Sequence, residues 1–460
     1  METNKIYLGN NLDTLRTFPS NSIDSIVTDP PYGISFMNKK WDYDVPTVEL
    51  WREALRVLKP GGHILCACGT RTQHRMACNI EDGGFEIRDI VAWIYGSGFP
   101  KSLDIGKAID SKLLNGKSNP MTLRKTEQDG DGEPYQIVGR NNGIMGETRT
   151  FDRKSFAPST PEAKRYDGWG TALKPAMELW TLARKPIEST VASNVLKYGT
   201  GGLNIDGCRV ETNDFDGKTF TVPNINQKSG EQGIYNGTKI NAERVAYEQK
   251  QARFPANVIH DGSDEVVRLF PTTESKSGVK NLSTSNIYRG NSFNHSKTKG
   301  TGEITGYTDS GSAARFFYTA KAQRGERDMG LYEMEEERHA DRNVDDGIGG
   351  DNPRNRTNIP RRNFHPTVKP LDLMRYLVRL ITPKGGIVLD PFLGSGTTAV
   401  AAKLEGMRYI GMEIEPQYVE IAEGRIKECE ADYEAKAKMY EDENVSKVYD
   451  IFDFLGGETK

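Results

Sequence analysis

Asp29-Pro30-Pro31-Tyr32 combines residue types suited to one kind of chemistry. An aromatic amino group is a poor nucleophile, because its lone pair is delocalised into the ring. A catalyst must hold that nitrogen closer to tetrahedral, with acceptors aimed at both hydrogens. The Asp29 carboxylate and the Pro30 carbonyl are two such acceptors, and Pro30 and Pro31 fix the backbone that presents them. Tyr32 offers a flat face for a heterocycle taken out of its stack. The proton released afterwards can pass to Asp29 or be relayed to water. Taken alone, the same four residues also describe a tight turn.

A second segment, DPFLGSGTTA at 390 to 399, marks a ligand-binding turn. Gly394 and Gly396 allow close backbone approach, with Ser395 and Thr397 between and after them, at the start of a predicted helix. Gly394, Gly396 and Ala399 satisfy a dinucleotide spacing, with Glu413 placed to accept both hydroxyls of a ribose. A nicotinamide-dependent dehydrogenase is therefore one reading. Asp390 argues for another, since a carboxylate at the strand end suits the positive charge of a sulfonium better than a pyrophosphate. Pro391 and Phe392 supply a rigid apolar wall beside it.

The elements around these segments must bring them together. KIYL and SIDSIVT are predicted strands, the second running into the turn at DPPYG. Next come an amphipathic helix from VELWREALRVLKPGG, stopped at Pro60 and Gly61, the buried strand HILCACG, a helix, and the strand FEIRDIVAWIYG, with which MELWTLARKP is expected to pair. The back of the chain repeats the pattern: helix KPLDLMRYLVRLI, strand GIVLD, helix TTAVAAKLEGM, strand RYIGMEI and helix QYVEIAEGRIKECE. Alternating strands and helices imply an α/β sheet, mostly parallel and covered on both faces.

The 460 residues exceed one ordinary domain, and 36% hydrophobic content supports a sizeable core. Residues 1–190 form one predicted half, with an irregular insertion at about 102–165, and residues 363–430 the other half. Residues 191–362, rich in Gly, Ser, Asn and Thr, read as a large insertion, and residues 431–460 as an acidic tail with eight acids against four bases. A formal charge of -3 gives no bulk attraction to a polyanion, so any such surface must be local. Five cysteines without paired C-x-x-C spacing argue against a disulfide framework and against a zinc site, and no metal is expected. Cys66 and Cys68 alternate on one face of a strand, as buried thiols do. With neither a leader nor an apolar run of membrane-spanning length, the expected location is cytoplasmic.

TDPPYG at 28–33, DPFLGSGTT at 390–398 and NFHPTVKP at 363–370 together resemble the motifs of the amino-methylating DNA methyltransferases of bacteria and phages. Catalytic motif, long insertion, then cofactor motif is the order of that family's β group. The resemblance spans the first 100 or so residues, residues 166–186 and residues 363–430. It implies a Rossmann-like, circularly permuted sheet, S-adenosyl-L-methionine as methyl donor bound beside Asp29, and base flipping in double-stranded DNA. Adenine N6 is the implied target. Cytosine N4 needs the same geometry, although that branch more often carries Ser in place of Asp29. Residues 191–362 become the target-recognition region, and a cognate restriction endonuclease a further partner.

The resemblance also implies that His365, Thr367 and Lys369 lie beside the methionine end of the cofactor, Lys369 pairing with its carboxylate. At Gly9-Asn10 the family commonly has Gly-Asp, the acid contacting the adenine amino group; Asn10 keeps an acceptor oxygen without the charge. Glutamine-modifying relatives usually carry Asn at the Asp29 position, and a DNA-binding module without catalysis would not need Asp29 and Tyr32 intact. Phosphate and base contacts are expected from Phe36, Lys39, Lys40 and Trp41 after DPPYG, and from Arg354, Arg356, Arg361 and Arg362 ahead of HPTVKP. Trp93, Tyr95, Phe99 and Lys101 are candidates for the same rim.

Overall fold

The structure, a computed structural model, describes residues 1–34, 43–98, 102–116, 135–141, 144–151, 158–211, 219–223, 244–248, 252–274, 310–320, 325–335 and 362–442. The chain forms two compact units, one of residues 1–96 with 177–460 and one of residues 97–176.

The larger unit is built on nine strands: β1 (Lys5–Leu8), β2 (Ile23–Thr28), β3 (Leu58–Gly69), β4 (Glu86–Ile94), β5 (Met177–Arg184), β6 (Val258–His260), β7 (Tyr318–Thr319), β8 (Ile387–Asp390) and β9 (Arg408–Glu413). Their order in the sheet is β1-β9-β8-β2-β3-β5-β4-β6-β7. Only β5 runs against its neighbours, pairing antiparallel with β3 and β4 as MELWTLARKP was expected to do with FEIRDIVAWIYG. The C-terminal strands β8 and β9 insert between β1 and β2, so the two ends of the sequence share one half of the sheet.

Alternation along the strands separates two cores. On one face Val27, Leu65, Ala67, Trp180 and Leu182 meet helices α5 (Leu371–Ile381) and α6 (Thr397–Leu404). On the other, Ile26, Ile64, Cys66, Cys68 and Leu389 meet α1 (Asn11–Arg16), α2 (Val48–Val57) and α3 (Gln73–Asp82). Cys66 and Cys68 thus face one core together, as the alternation predicted. The helix expected to run to Pro60 ends instead at Val57, and β3 starts at Leu58 without a loop. Leu58 is fully buried and has extended backbone, so packing overrides the helical reading there. Glu405, 1% exposed, receives Arg375 at 2.8 Å and Arg379 at 2.7 Å and ties α5 to the turn after α6.

Residues 191–362 divide between two roles. α4 (Val191–Tyr198), β6 and β7 belong to the sheet body, and Cys208 is buried in the core beneath α5. The other described strands form two-stranded ribbons: Val210–Glu211 with Ala252–Arg253, Thr219–Pro223 with Arg244–Glu248, and Thr272–Glu274 with Ser310–Ser312. A reading from periodicity misses β6 and β7 because strands of three and two residues carry no measurable period.

The smaller unit, residues 97–176, is wider than the irregular insertion read at about 102–165. Helix Ile105–Asn115 starts at an Asp104 cap and ends at Gly116 with φ 65°. Its buried Asp110 accepts from the backbone and hydroxyls of Ser159 and Thr160, anchoring the short helix Pro161–Lys164. A hairpin joins Tyr135–Asn141 to Ile144–Phe151. Among the described residues of the chain, no helix is long and apolar enough to cross a membrane.

Candidate active site at the carboxyl edge of the sheet

Because β1, β9, β8, β2 and β3 are parallel, their carboxyl ends share one edge of the sheet. That edge gathers Asn10, Glu413, Asp390, Asp29 and Gly69 from five separate stretches of sequence. Antiparallel β5 contributes its amino-terminal end, placing Glu178 there as well. The predicted catalytic and cofactor segments are therefore neighbours, and the Thr28 hydroxyl donates to Asp390 Oδ1 at 2.6 Å to link them.

Asp29 stands at the centre of a charged cluster. Its Oδ2 accepts from Lys369 Nζ at 2.6 Å, and its Oδ1 accepts from the Tyr32 hydroxyl at 2.7 Å. The same ammonium donates to Tyr32 Oη at 3.2 Å and lies 3.3 Å from Glu178 Oε2. Burial lowers the readiness of Lys369 to stay charged, but Asp29 and then Glu178 outweigh it and raise its pKa. Burial, followed by the charges of Asp29 and Glu178, pushes the Tyr32 hydroxyl well above its usual range, so it stays protonated and donates. Burial raises Glu178 too, against the pull of Lys369. The Tyr32 carbonyl accepts from Thr72 at 2.6 Å, and a Cβ at Gly69 would lie 3.2 Å from the Tyr32 ring. Tyr32 is thus held against the end of β3.

Lys369 is expected to pair with a cofactor carboxylate; in the structure its ammonium donates to Asp29 and Tyr32 and forms an ion pair with Glu178. Nearby, His365 Nδ1 faces the Thr367 carbonyl at 3.0 Å, and its ring edge packs on Tyr418 at 4.5 Å. Desolvation lowers His365 to about 4, leaving a neutral imidazole at pH 7. Thr367 is exposed.

The glycine turn is more of a scaffold than its motif suggests. Asp390, expected to face a cation, is 2% exposed and accepts from Thr28, from Thr398 at 2.5 Å and from the Phe392 N–H at 3.0 Å. Burial raises it to about 6 despite those bonds. Ser395 and Thr397 are also turned inward, to the buried guanidinium of Arg425. Gly396, with φ 82°, is expected to leave room for a cofactor, and a Cβ there would sit 2.7 Å from Ala422 Cβ on helix α7 (Pro416–Asp442). At Gly394, φ 54°, a Cβ would meet His365 Nε2 at 2.7 Å. Close packing requires both glycines.

Glu413 accepts from the N–H groups of Gly394, Ile414 and Glu415 at 2.8 to 2.9 Å. A carboxylate has about four acceptor positions, which leaves it room for one more donor. Asn10 is exposed, and its oxygen caps α1 by accepting from Leu12 and Asp13. Phe392 is half-buried against the second core.

Several residues of this edge escaped the sequence reading. Glu178 carries no motif of its own and acquires meaning only when β5 is threaded between β3 and β4. Arg425 is fully buried, brought to about 10 by burial, and donates to the Glu326 carbonyl as well as to the glycine turn. Arg327 donates to the carbonyls of Asn363 and His365, Asn363 to that of Arg327, and the Asn363 N–H to Asp328, so residues 325–328 hold the HPTVKP segment in place. Pairing GERD at 325–328 with a second motif was not possible from type and spacing alone.

Of the residues expected to touch nucleic acid, Phe36, Lys39, Lys40, Trp41, Arg354, Arg356 and Arg361 lie outside the described residues, as do Phe99 and Lys101. Arg362 is half-buried. Trp93, 8% exposed, belongs to the core, and half-buried Tyr95 packs on it with ring centroids 4.8 Å apart.

Known proteins place this arrangement. A 62-residue stretch, 14% of the chain, is 47% identical to the type II methyltransferase M2.DpnII of Streptococcus pneumoniae and covers 23% of that protein. A 70-residue stretch is 41% identical to the type II methyltransferase M.ScaI of Streptomyces caespitosus, again covering 23% of it and 15% of this chain. The chain thus aligns with about a quarter of the length of these curated relatives. Among solved structures, the cytosine-N4-specific PvuII DNA methyltransferase aligns at 12% identity and a TM-score of 0.37, over 92% of this chain and 86% of its own. The M1.HpyAVI complex with S-adenosylmethionine aligns at 14% identity and a TM-score of 0.33, over 92% and 98%. The family profile described as DNA methylase, covering N6 and N4 methyltransferases, matches residues 23–424, which contain the Asp29 cluster, the glycine turn and everything between them. The chain belongs to the N6/N4 family of DNA methylases.

Proposed function

We propose that the protein transfers a methyl group from S-adenosyl-L-methionine to an exocyclic amino group in double-stranded DNA, with adenine N6 as the target. The observation that carries this reading is the hydrogen-bonded Asp29–Tyr32 pair, at the end of the strand beside the glycine turn, in a chain matched by the methylase family over both.

The residues present fit the cofactor. Leu8 and Ile414 are apolar yet 56% and 58% exposed, one in register with Glu413 and the other following it. Gly9, with φ 140°, has nothing within 4 Å of a would-be Cβ. Leu8, Ile414 and Phe392 would hold the adenine ring, and the remaining acceptor position of Glu413 a ribose hydroxyl. When bound, the cofactor supplies an electrophilic methyl group on a sulfonium. Asp29 and the Pro30 carbonyl accept the hydrogens of the target amino group, making its lone pair available. Tyr32, anchored by Thr72 and Gly69, lies against the extruded base. The circular permutation of the β group accounts for β8 and β9 inserting between β1 and β2. Residues 191–362, through their ribbons, select the DNA sequence, and pairing with a restriction endonuclease is consistent with the type II relatives.

Transfer of tritiated methyl groups from S-adenosyl-L-methionine to unmethylated DNA tests the activity. Incorporation should be readily measured with the wild type and should depend on DNA; none from an intact, cofactor-binding protein would refute it. Exchanging the 191–362 ribbons for those of a relative with another specificity should change the methylated motif, while an unchanged motif would move specificity to the catalytic rim.

A further inference from the structure

Asp29 enters the site with both oxygens occupied: Oδ1 by Tyr32 and Oδ2 by Lys369. Each oxygen keeps a second acceptor position, but the Lys369 ion pair neutralises the carboxylate, so releasing the ammonium strengthens Asp29 as acceptor for an incoming amino group. The Lys369 ammonium has a second carboxylate in reach, since Glu178 Oε2 is 3.3 Å away. That oxygen is buried, and its contact with the ammonium is an ion pair that falls short of hydrogen-bond geometry. A buried carboxylate oxygen without a donor costs free energy until one is supplied. A shift of Lys369 by about half an ångström would bring it to the usual length of a charge-assisted bond.

We propose that Glu178 is a positioning residue for methyl transfer: it draws the Lys369 ammonium away from Asp29 as the target amino group arrives, freeing Asp29 to act as acceptor. This rests on the function proposed above. The groups facing Glu178 are Lys369, Asp29, Tyr32 and Tyr95, and the rise in the pKa of Glu178 through burial agrees with a carboxylate that gains by capturing a cation. Lys369 thereby acts as a counter-ion passed between two acids, one just past the end of β2 and one on β5, strands separated in the sheet by β3.

Glu178→Gln keeps the shape and removes the charge, so Lys369 stays on Asp29. The expected result is a kcat lowered roughly 10- to 100-fold with the KM for S-adenosyl-L-methionine changed less than about threefold. In the wild type, kcat should fall on the acid side as Glu178 is protonated; in E178Q that limb should be absent, and Glu178→Asp should restore both kcat and limb in part. Wild-type kcat in E178Q, or a loss of kcat with the acid limb unchanged, overturns the proposal. A measurement independent of turnover separates this from the functional reading: carboxyl-labelled NMR should show Glu178 titrating at higher pH in Lys369→Met than in the wild type. An unchanged titration would overturn the shared ammonium whatever the reaction catalysed, whereas the predicted shift in a protein that methylates no DNA would overturn only the function proposed above.

Discussion

Two motif segments meet at the same edge of the sheet, yet their polar groups do opposite work. Around the glycine turn, Asp390, Ser395 and Thr397 are buried and bonded to other parts of the protein, to Thr28, Thr398 and Arg425. Around Asp29 the polar groups are half-buried and bonded to one another through a shared ammonium. The first arrangement fixes a backbone; the second gathers opposite charges around one ammonium. Residue types that look equally chemical in sequence therefore divide into a buried frame and a charged cluster once burial and partners are known.

The sharpest separation should come from Asp29→Ala. Losing one well-placed acceptor should raise the transfer barrier by roughly 3 to 4 kcal/mol, about a hundredfold to a thousandfold in rate, with cofactor binding by calorimetry retained. A variant with near-normal turnover would erase the distinction. Asp390→Asn should do the reverse, altering stability in a pH-dependent way. Asp390 is raised to about 6 in the folded state, so the native protein binds its proton more tightly than the unfolded chain. Its contribution is most favourable below the unfolded value near 4 and is lost as pH rises through about 6, an order of 3 kcal/mol. Urea unfolding from pH 4 to 7 should show the wild type losing ground against Asp390→Asn over that interval, and parallel curves would contradict the assignment.

Smaller effects probe the frame itself. Gly396→Ala forces a Cβ against Ala422 in a backbone conformation with positive φ, and a loss of about 1 to 3 kcal/mol in denaturant unfolding is expected. Weakened cofactor binding without lost stability would return Gly396 to a ligand-facing role. Thr397→Val removes one acceptor from the buried Arg425 and should cost roughly 1 kcal/mol in the same assay, with kcat close to wild type.

Much of this was legible before the fold. Long, strongly periodic elements such as β2 and α5 follow from the sequence, as does the pairing of β5 with β4. The α2 boundary does not follow from Pro60 as the stop, because burial of Leu58 ends the helix at Val57. β6 and β7 are too short for a period, and the structure had to reveal them. In the site, the motifs name Asp29, Tyr32 and Lys369, which the fold brings together, but spacing cannot show that β5 brings Glu178 alongside. Glu178 and Arg425 act through contacts 191 and 30 residues away in sequence, with Lys369 and Ser395, and no local pattern reports such distances.

If this edge methylates an exocyclic amino group, the modified nucleoside identifies both the chemistry and the base. Unmethylated DNA incubated with the protein and S-adenosyl-L-methionine carrying a deuterated methyl group should be digested to nucleosides and analysed by mass spectrometry. Deuterated N6-methyladenine is the predicted product, reduced in Asp29→Ala to a small fraction of the wild-type yield. Deuterated N4-methylcytosine would contradict the choice of base, and a methyl group on ring carbon, or no labelled nucleoside at all, would contradict the account of the site.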